Sequence, residues 1–389
     1  MIVYDKRMLD NQILVDEAHA LCKGSFISKE QKKFIKKELP LFRSQDNILV
    51  RIGFFILGAM LYSSICGAIS IFGIGGENAY FQICFYIFAA VGFAGSEILA
   101  KQNFHNHGLD DAFILGAILN VGLAIGITTE ADNPAIIAFF ITVTSIFMFI
   151  RYLHLLSMLV FCVAFTKFLF YLMFEFGDIG KAILPFTAMI FAGILYFVTK
   201  KTINNLSESY YYNGLLLANS FCLVLFYLSC NYLVVRELSA ELLGTEVKPG
   251  TDIPFAFFFY AFTFIVPAVY LVQALRAKDR IMLWISFLAI GFSIYTIRYY
   301  YSVLPIEVAL TLGGLVLFTI AYFSIIKLKE KESGLTFKPD RINHSDTILN
   351  AEALVVASTF GMKPEAKPQD SPMEFGGGGF SGGGSSESF

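Results

Sequence analysis

The stretch LVRIGFFILGAMLYSSICGAISIFGIGGENAYFQICFYIFAAVGFAGSEILAK, residues 49–101, decides the fold. It holds two apolar runs, 49–71 and 80–100, each long enough to cross a hydrocarbon core of roughly 30 Å as a helix. Between them GIGGEN, residues 73–78, reads as a turn, because no soluble helix follows to make a phosphate cradle of its glycines. Working outward, the pattern repeats to Ile326, with further runs at 111–128, 134–150, 154–174, 182–199, 215–235, 255–275, 281–297 and 306–326. The expected fold is all-α: a polytopic transmembrane helix bundle of about ten spans.

Composition agrees. Of 389 residues 56% are hydrophobic and only 15% charged, against about a quarter charged in soluble domains, so a water-soluble globule is excluded. Orientation follows from Lys and Arg, which resist translocation. With the N-terminus inside, the inner segments hold 24 of the 29 Lys and Arg, the outer loops hold 4, and Lys167 lies within the fifth span. Both termini are therefore expected in the cytoplasm. Tyr210–Tyr212 and Tyr299–Tyr301 fall at opposite interfaces, where amphipathic rings prefer to lie. Pro134 opens the fourth span, where its missing N–H costs nothing.

Outside the bundle, residues 1–48 read as a basic helical pair. Ser28-Lys29-Glu30-Gln31 has the capping-box pattern, and the helix it starts should stop before Pro40. Lys29, Lys32, Lys33, Lys36 and Lys37 then line one face. Two readings stand: contact with anionic membrane lipids, or a solvated face. Residues 327–363 read as a cytoplasmic segment with a short amphipathic helix capped by Ser345 or Asp346. The tail 364–389, ending GGGGFSGGGSSESF, is too poor in apolar residues to fold and is expected disordered. No cleavable leader is expected, since the first apolar run begins late. The six cysteines form no C-x-x-C and read as packing residues, with a Cys66–Cys84 disulfide left open.

ISKEQ followed by RIGFFILG resembles the uncharacterised bacterial multi-pass families labelled predicted membrane proteins. HNHGLDDAFIL, residues 105–115, is similar to a loop of such proteins from the Bacteroidetes group. The Gly/Ser tail ending in an aromatic resembles tails of TPM-domain membrane proteins, although this chain shows no such soluble domain. These resemblances imply a bacterial inner-membrane setting and a partner that reads the tail. They imply no activity.

Three groups of residues are candidates for chemistry. Lys167 lies roughly 20 Å up its helix at 1.5 Å per residue, and an intramembrane charge calls for a partner. Glu175 and Glu307 are at reachable depth; the alternative is a side chain that snorkels outward. The second group is Glu97, Lys101, His105, His107, Asp110 and Asp111. Here Glu97 and Lys101 are spaced to pair along one helix. The two histidines with an aspartate suggest a metal only weakly, and the aspartates also suit a helix start. The third is Gly122 and Gly126 on span three, a close-packing face, with Pro267 kinking span eight. Together with Asn120 and Gln273 they outline a transport site between spans three, five and eight. Packing and kinking without transport is the favoured reading of the same residues.

No G-x-S-x-G, H-E-x-x-H, Walker or dinucleotide motif is present, so neither an enzyme nor a cofactor is expected. No metal is assigned. The lysine stripe has no nucleic-acid module beside it. The expected role is structural or interaction type, with the N-terminal helices or the Gly-rich tail meeting a cytoplasmic protein or lipid. The alternative is a small-molecule or lipid transporter.

Overall fold

The computed structural model describes residues 2–300 apart from 24–25, 46, 72–77, 206–208, 244–251 and 278, and also positions 308, 311, 315, 318, 322 and 326. Two helices precede the bundle, α1 (Lys6–Lys23) and α2 (Lys29–Glu38). The bundle follows as α3 (Ile48–Ile71), α4 (Asn78–Lys101), α5 (Leu109–Thr128), α6 (Pro134–Tyr152), α7 (Leu155–Phe174), α8 (Gly177–Asn204), α9 (Tyr212–Ser229), α10 (Tyr232–Leu243), α11 (Ala256–Ala277) and α12 (Arg280–Tyr300). Among the described residues nine helices, all of these except α1, α2 and α10, are long and apolar enough to cross a membrane. The chain is a polytopic helical bundle. The tenth expected span falls largely outside the described residues, although its six described positions are helical and exposed. The 327–363 segment and the tail lie wholly outside them.

Side chains explain the packing. Large apolar groups such as Phe197, Phe257 and Ile179 point outward, as hydrocarbon requires, while small residues fill the contacts between helices. Ala117 and Ala124 on α5, Cys162 on α7, Ala192 on α8 and Ala218 and Cys222 on α9 are essentially inaccessible. Gly92 lets α4 approach α5 so closely that a Cβ there would meet the Cβ of Ala117 at 2.8 Å. Helix α5 is the most buried of the nine and packs against α3, α4 and α6.

Local expectations are met at both ends. Ser28 Oγ accepts the Gln31 N–H at 3.1 Å while Gln31 returns to the Ser28 N–H at 2.8 Å. Helix α2 ends at Glu38, before Pro40. Asn133 caps α6, with Pro134 in its first turn. All six cysteines are free, Cys66 and Cys84 included.

One span differs. The seventh apolar run, expected to continue to residue 235, stops at Ser229, and a new helix starts at Tyr232. Asn231 makes the break. Its Oδ1 accepts the N–H groups of Leu233 and Val234 at 3.1 and 3.3 Å, and its Nδ2 donates to Tyr227 Oη at 3.0 Å. A short side chain that caps its own downstream backbone competes successfully with helix continuation. Nearby, Pro267 sits inside an unbroken α11. A proline cannot donate to the carbonyl four residues back. That carbonyl, of Thr263, instead accepts Ser293 Oγ at 2.7 Å.

Candidate functional site

HNHGLDD spans the link between α4 and α5 and the first residues of α5, and the structure gathers charges around it from four helices and the link to a fifth. Arg51 comes from the start of α3, Glu97 from the end of α4, Asp110 and Asp111 from the start of α5. Arg151 comes from the end of α6, and His154 from the two-residue link to α7. Starts and ends alternate, so consecutive helices run antiparallel and the cluster lies at one end of the bundle.

Asp111 is its centre. Arg51 Nε donates to Asp111 Oδ2 at 2.6 Å. On the other side His154 Nε2 lies 3.2 Å from Asp111 Oδ1, a polar contact less well aligned than a hydrogen bond. His154 Nδ1 accepts the Ser157 N–H at 3.3 Å and so caps α7, which leaves the ring proton on the nitrogen facing Asp111. Continuing outward, Arg51 Nη2 donates to Asn106 Oδ1 at 3.2 Å. The Asn106 amide in turn donates to His105 Nε2 at 3.1 Å. A row of polar contacts thus joins two histidines through an Asp–Arg pair.

Asp110 does different work. Its Oδ1 accepts the N–H groups of His107 and Gly108, both at 3.0 Å, and so closes the turn that starts α5. His107 is buried between the rings of Phe54 and Phe104, 4.3 and 4.9 Å away, and its Nδ1 has no partner. Beside this turn Glu97 pairs with Arg151 and accepts the Tyr152 hydroxyl at 2.7 Å. The spacing of Glu97 and Lys101 suggested a pair along α4. Glu97 turns instead to α6, whose guanidinium offers a shorter and more buried partner, and Lys101 stays exposed.

The N-terminal segment covers the cluster. Tyr4 and Phe42 set their ring edges on His105 at 4.7 and 5.4 Å. Val3 donates its N–H to the Arg151 carbonyl at 3.0 Å. Arg43 donates its own N–H to the Asn103 carbonyl at 2.8 Å. Tyr210, ahead of α9, hydrogen-bonds Asp10 on α1.

Burial pushes the His105 imidazole down to about 4, outweighing the raising influence of Asp110 and Asp111, while Arg51 and His154 lower it further. A histidine whose pKa is depressed in the docked state takes up its proton more readily when released. The docking contribution is therefore complete above about 6.5 and is lost as pH falls from there toward 4. Protection of the Val3 and Arg43 amides against hydrogen exchange, relative to their intrinsic rates, should fall by up to about tenfold per pH unit across that window. His105→Gln should flatten the dependence, and an unchanged profile in that variant would refute the assignment.

The cluster holds charge and fixes position; it presents no activated nucleophile. Among the described residues no group of three or more His, Cys, Asp and Glu side chains is placed to hold a metal.

The residues singled out for an intramembrane site do not converge. Lys167, Glu175 and Gln273 are exposed on α7, at its end and on α11, and Glu307 lies outside the described residues. Asn120 is buried on α5, donating to Tyr62 Oη and to the Gly116 carbonyl, both at 2.8 Å. Gly122 faces Ile141 on α6, Gly126 faces Ile137, and Pro267 is buried in α11. Helix α7 packs mainly on α6, α8 and α9, and α11 on α9, α10 and α12, away from α5.

Sequence reasoning passed over Arg51, Arg151 and His154, which it counted for topology or not at all, and over Tyr4 and Tyr152. The available signal was position: each charged residue ends or begins an apolar run on the same side as HNHGLDD. Compared with family models, curated proteins and solved structures, the chain matches none.

Proposed function

We propose that this is a multi-pass protein of structural or interaction type, seated in a bacterial inner membrane with both termini cytoplasmic. On this reading the N-terminal helices are the surface through which it meets lipid or a protein partner. One observation supports it: the charged end of the bundle seats the N-terminal segment through the Arg151 and Asn103 carbonyls, the His105 ring and the Tyr210 hydroxyl. Val3, Tyr4, Asp10, Phe42 and Arg43 all grip the bundle, while α2 keeps no buried residue at all.

Transport draws support from the interruption at Asn231 and from Pro267, since broken helices often mark a substrate path. The polar groups there, however, satisfy one another. Tyr227, Asn231, Thr263, Ser293 and Thr296 are buried and mutually hydrogen-bonded. Interaction is therefore the better supported reading.

Photo-crosslinking in native membranes tests it. A photoreactive residue at Lys33 or Lys37 should give adducts with lipid or with a protein, in yields comparable to one at Ile183, which faces outward from α8. Only hydrolysed crosslinker at both α2 positions would overturn the proposal.

A further inference from the structure

Helix α2 combines two features that a water-facing helix seldom has together. Its ten residues, KEQKKFIKKE, contain five lysines and two glutamates. Beside them Phe26 is 81% exposed and Phe34 63% exposed, although α1 packs on the same helix. At 100° per residue Phe34, Glu38, Gln31 and Ile35 share one side, bordered by Glu30 and Lys32, and the five lysines spread over the opposite side. Ile27, Glu30, Gln31, Phe34 and Ile35 line a shallow groove there. A lysine face opposed to exposed aromatic rings is the arrangement of a helix lying in a membrane interface, where rings enter the acyl boundary and ammonium groups on long stems reach the headgroups.

Position agrees with composition. Only nine residues separate Glu38, the end of α2, from Ile48, the start of α3. Two of the nine are fixed against the bundle end, Phe42 by burial and Arg43 by its bond to the Asn103 carbonyl. The helix is thus held close to where α3 and α4 leave the apolar layer.

We infer that α2 docks on the anionic phospholipid surface of the bilayer that holds the bundle, with Phe34 and Phe26 inserted and the lysines paired to headgroup phosphates. This rests on the interaction reading above and names its partner. Charge complementarity selects the occupant: five lysines against two glutamates favour an anionic surface, and each lysine near one strengthens partition by about fivefold.

The full chain, with Cys22→Ser to remove the one cysteine that is not fully buried and Phe34→Cys carrying an environment-sensitive fluorophore, tests this in nanodiscs. In discs with 30% phosphatidylglycerol the emission should shift to the blue, and a headgroup-attached nitroxide should quench it. In pure phosphatidylcholine the shift should be absent. Lys33→Gln, Lys36→Gln and Lys37→Gln together should weaken docking about a hundredfold. At 1 M salt, where the Debye length is about 3 Å, the shift should also collapse. Emission identical in both discs would overturn the lipid assignment. Protein adducts at Lys33 or Lys37 in native membranes alongside that result would leave the interaction reading intact. Absence of both would remove the two together.

Discussion

Asp111→Ala should lower the stability of the bundle by about 3 kcal/mol, seen as a fall of several degrees in thermal unfolding of the purified protein in detergent. The aspartate is the shared partner of Arg51 and His154, and its side chain is only 5% exposed. Removing it leaves a guanidinium at a half-dry site with no carboxylate. Breaking one side of a buried pair costs about 3–5 kcal/mol. The lower end applies here, because Arg51 keeps 30% of its side-chain exposure and water recovers part of its charge. Asp111→Asn keeps an acceptor for Arg51 and should lose less. Adding Arg51→Ala to Asp111→Ala should cost less than the sum of the single changes, since the second change removes a charge already stranded. An unchanged midpoint for Asp111→Ala would show that the pair contributes nothing.

Gly108→Ala should cost about as much, by a steric route. Gly108 sits at φ +108°, outside the range an L side chain adopts readily, and a Cβ there would lie 2.3 Å from the Arg51 carbonyl oxygen and 2.9 Å from the Phe55 nitrogen. Both contacts are backbone, so no rotamer change relieves them. Left-handed backbone costs an L residue roughly 1–2 kcal/mol and overpacking typically 1–3 more, together about 3 kcal/mol. The displacement would also push α3 away from the start of α5 and so stretch the Arg51–Asp111 bond. Gly53→Ala is the control: nothing lies within 4 Å of its added Cβ, and no loss is expected. Comparable unfolding midpoints for the two alanine variants would defeat the steric argument.

These sites show what could be read from the chain and what could not. Span boundaries were legible because apolar length is a local property, and the ends of α3, α5, α6 and α7 lie within two residues of expectation. The break at Asn231 was not, because the run around it stays apolar on average and one capping side chain decides the matter. HNHGLDD was legible as unusual but not as the centre of a cluster. Its partners His154 and Arg51 lie 43 and 60 residues from Asp111 in sequence, brought near only when helices alternate in direction. The same limit misassigned Glu97, for which Lys101 is the nearer cation in sequence and Arg151 the nearer in space. Lys167 illustrates the reverse: chemically conspicuous, it ends on the outside of α7.

The grip of the N-terminal segment has a consequence for biosynthesis. Asp10 and its partner Tyr210 are 200 residues apart, and Val3 waits for the carbonyl of Arg151. These early residues therefore find their seats only after α3 to α8 have been threaded into lipid. Such late, long-range contacts are slow to form and leave the early segment unprotected meanwhile. Their closure marks a chain whose first six apolar helices, α3 to α8, have been laid down in register, so a protease that attacks the unseated segment would clear chains interrupted before that point.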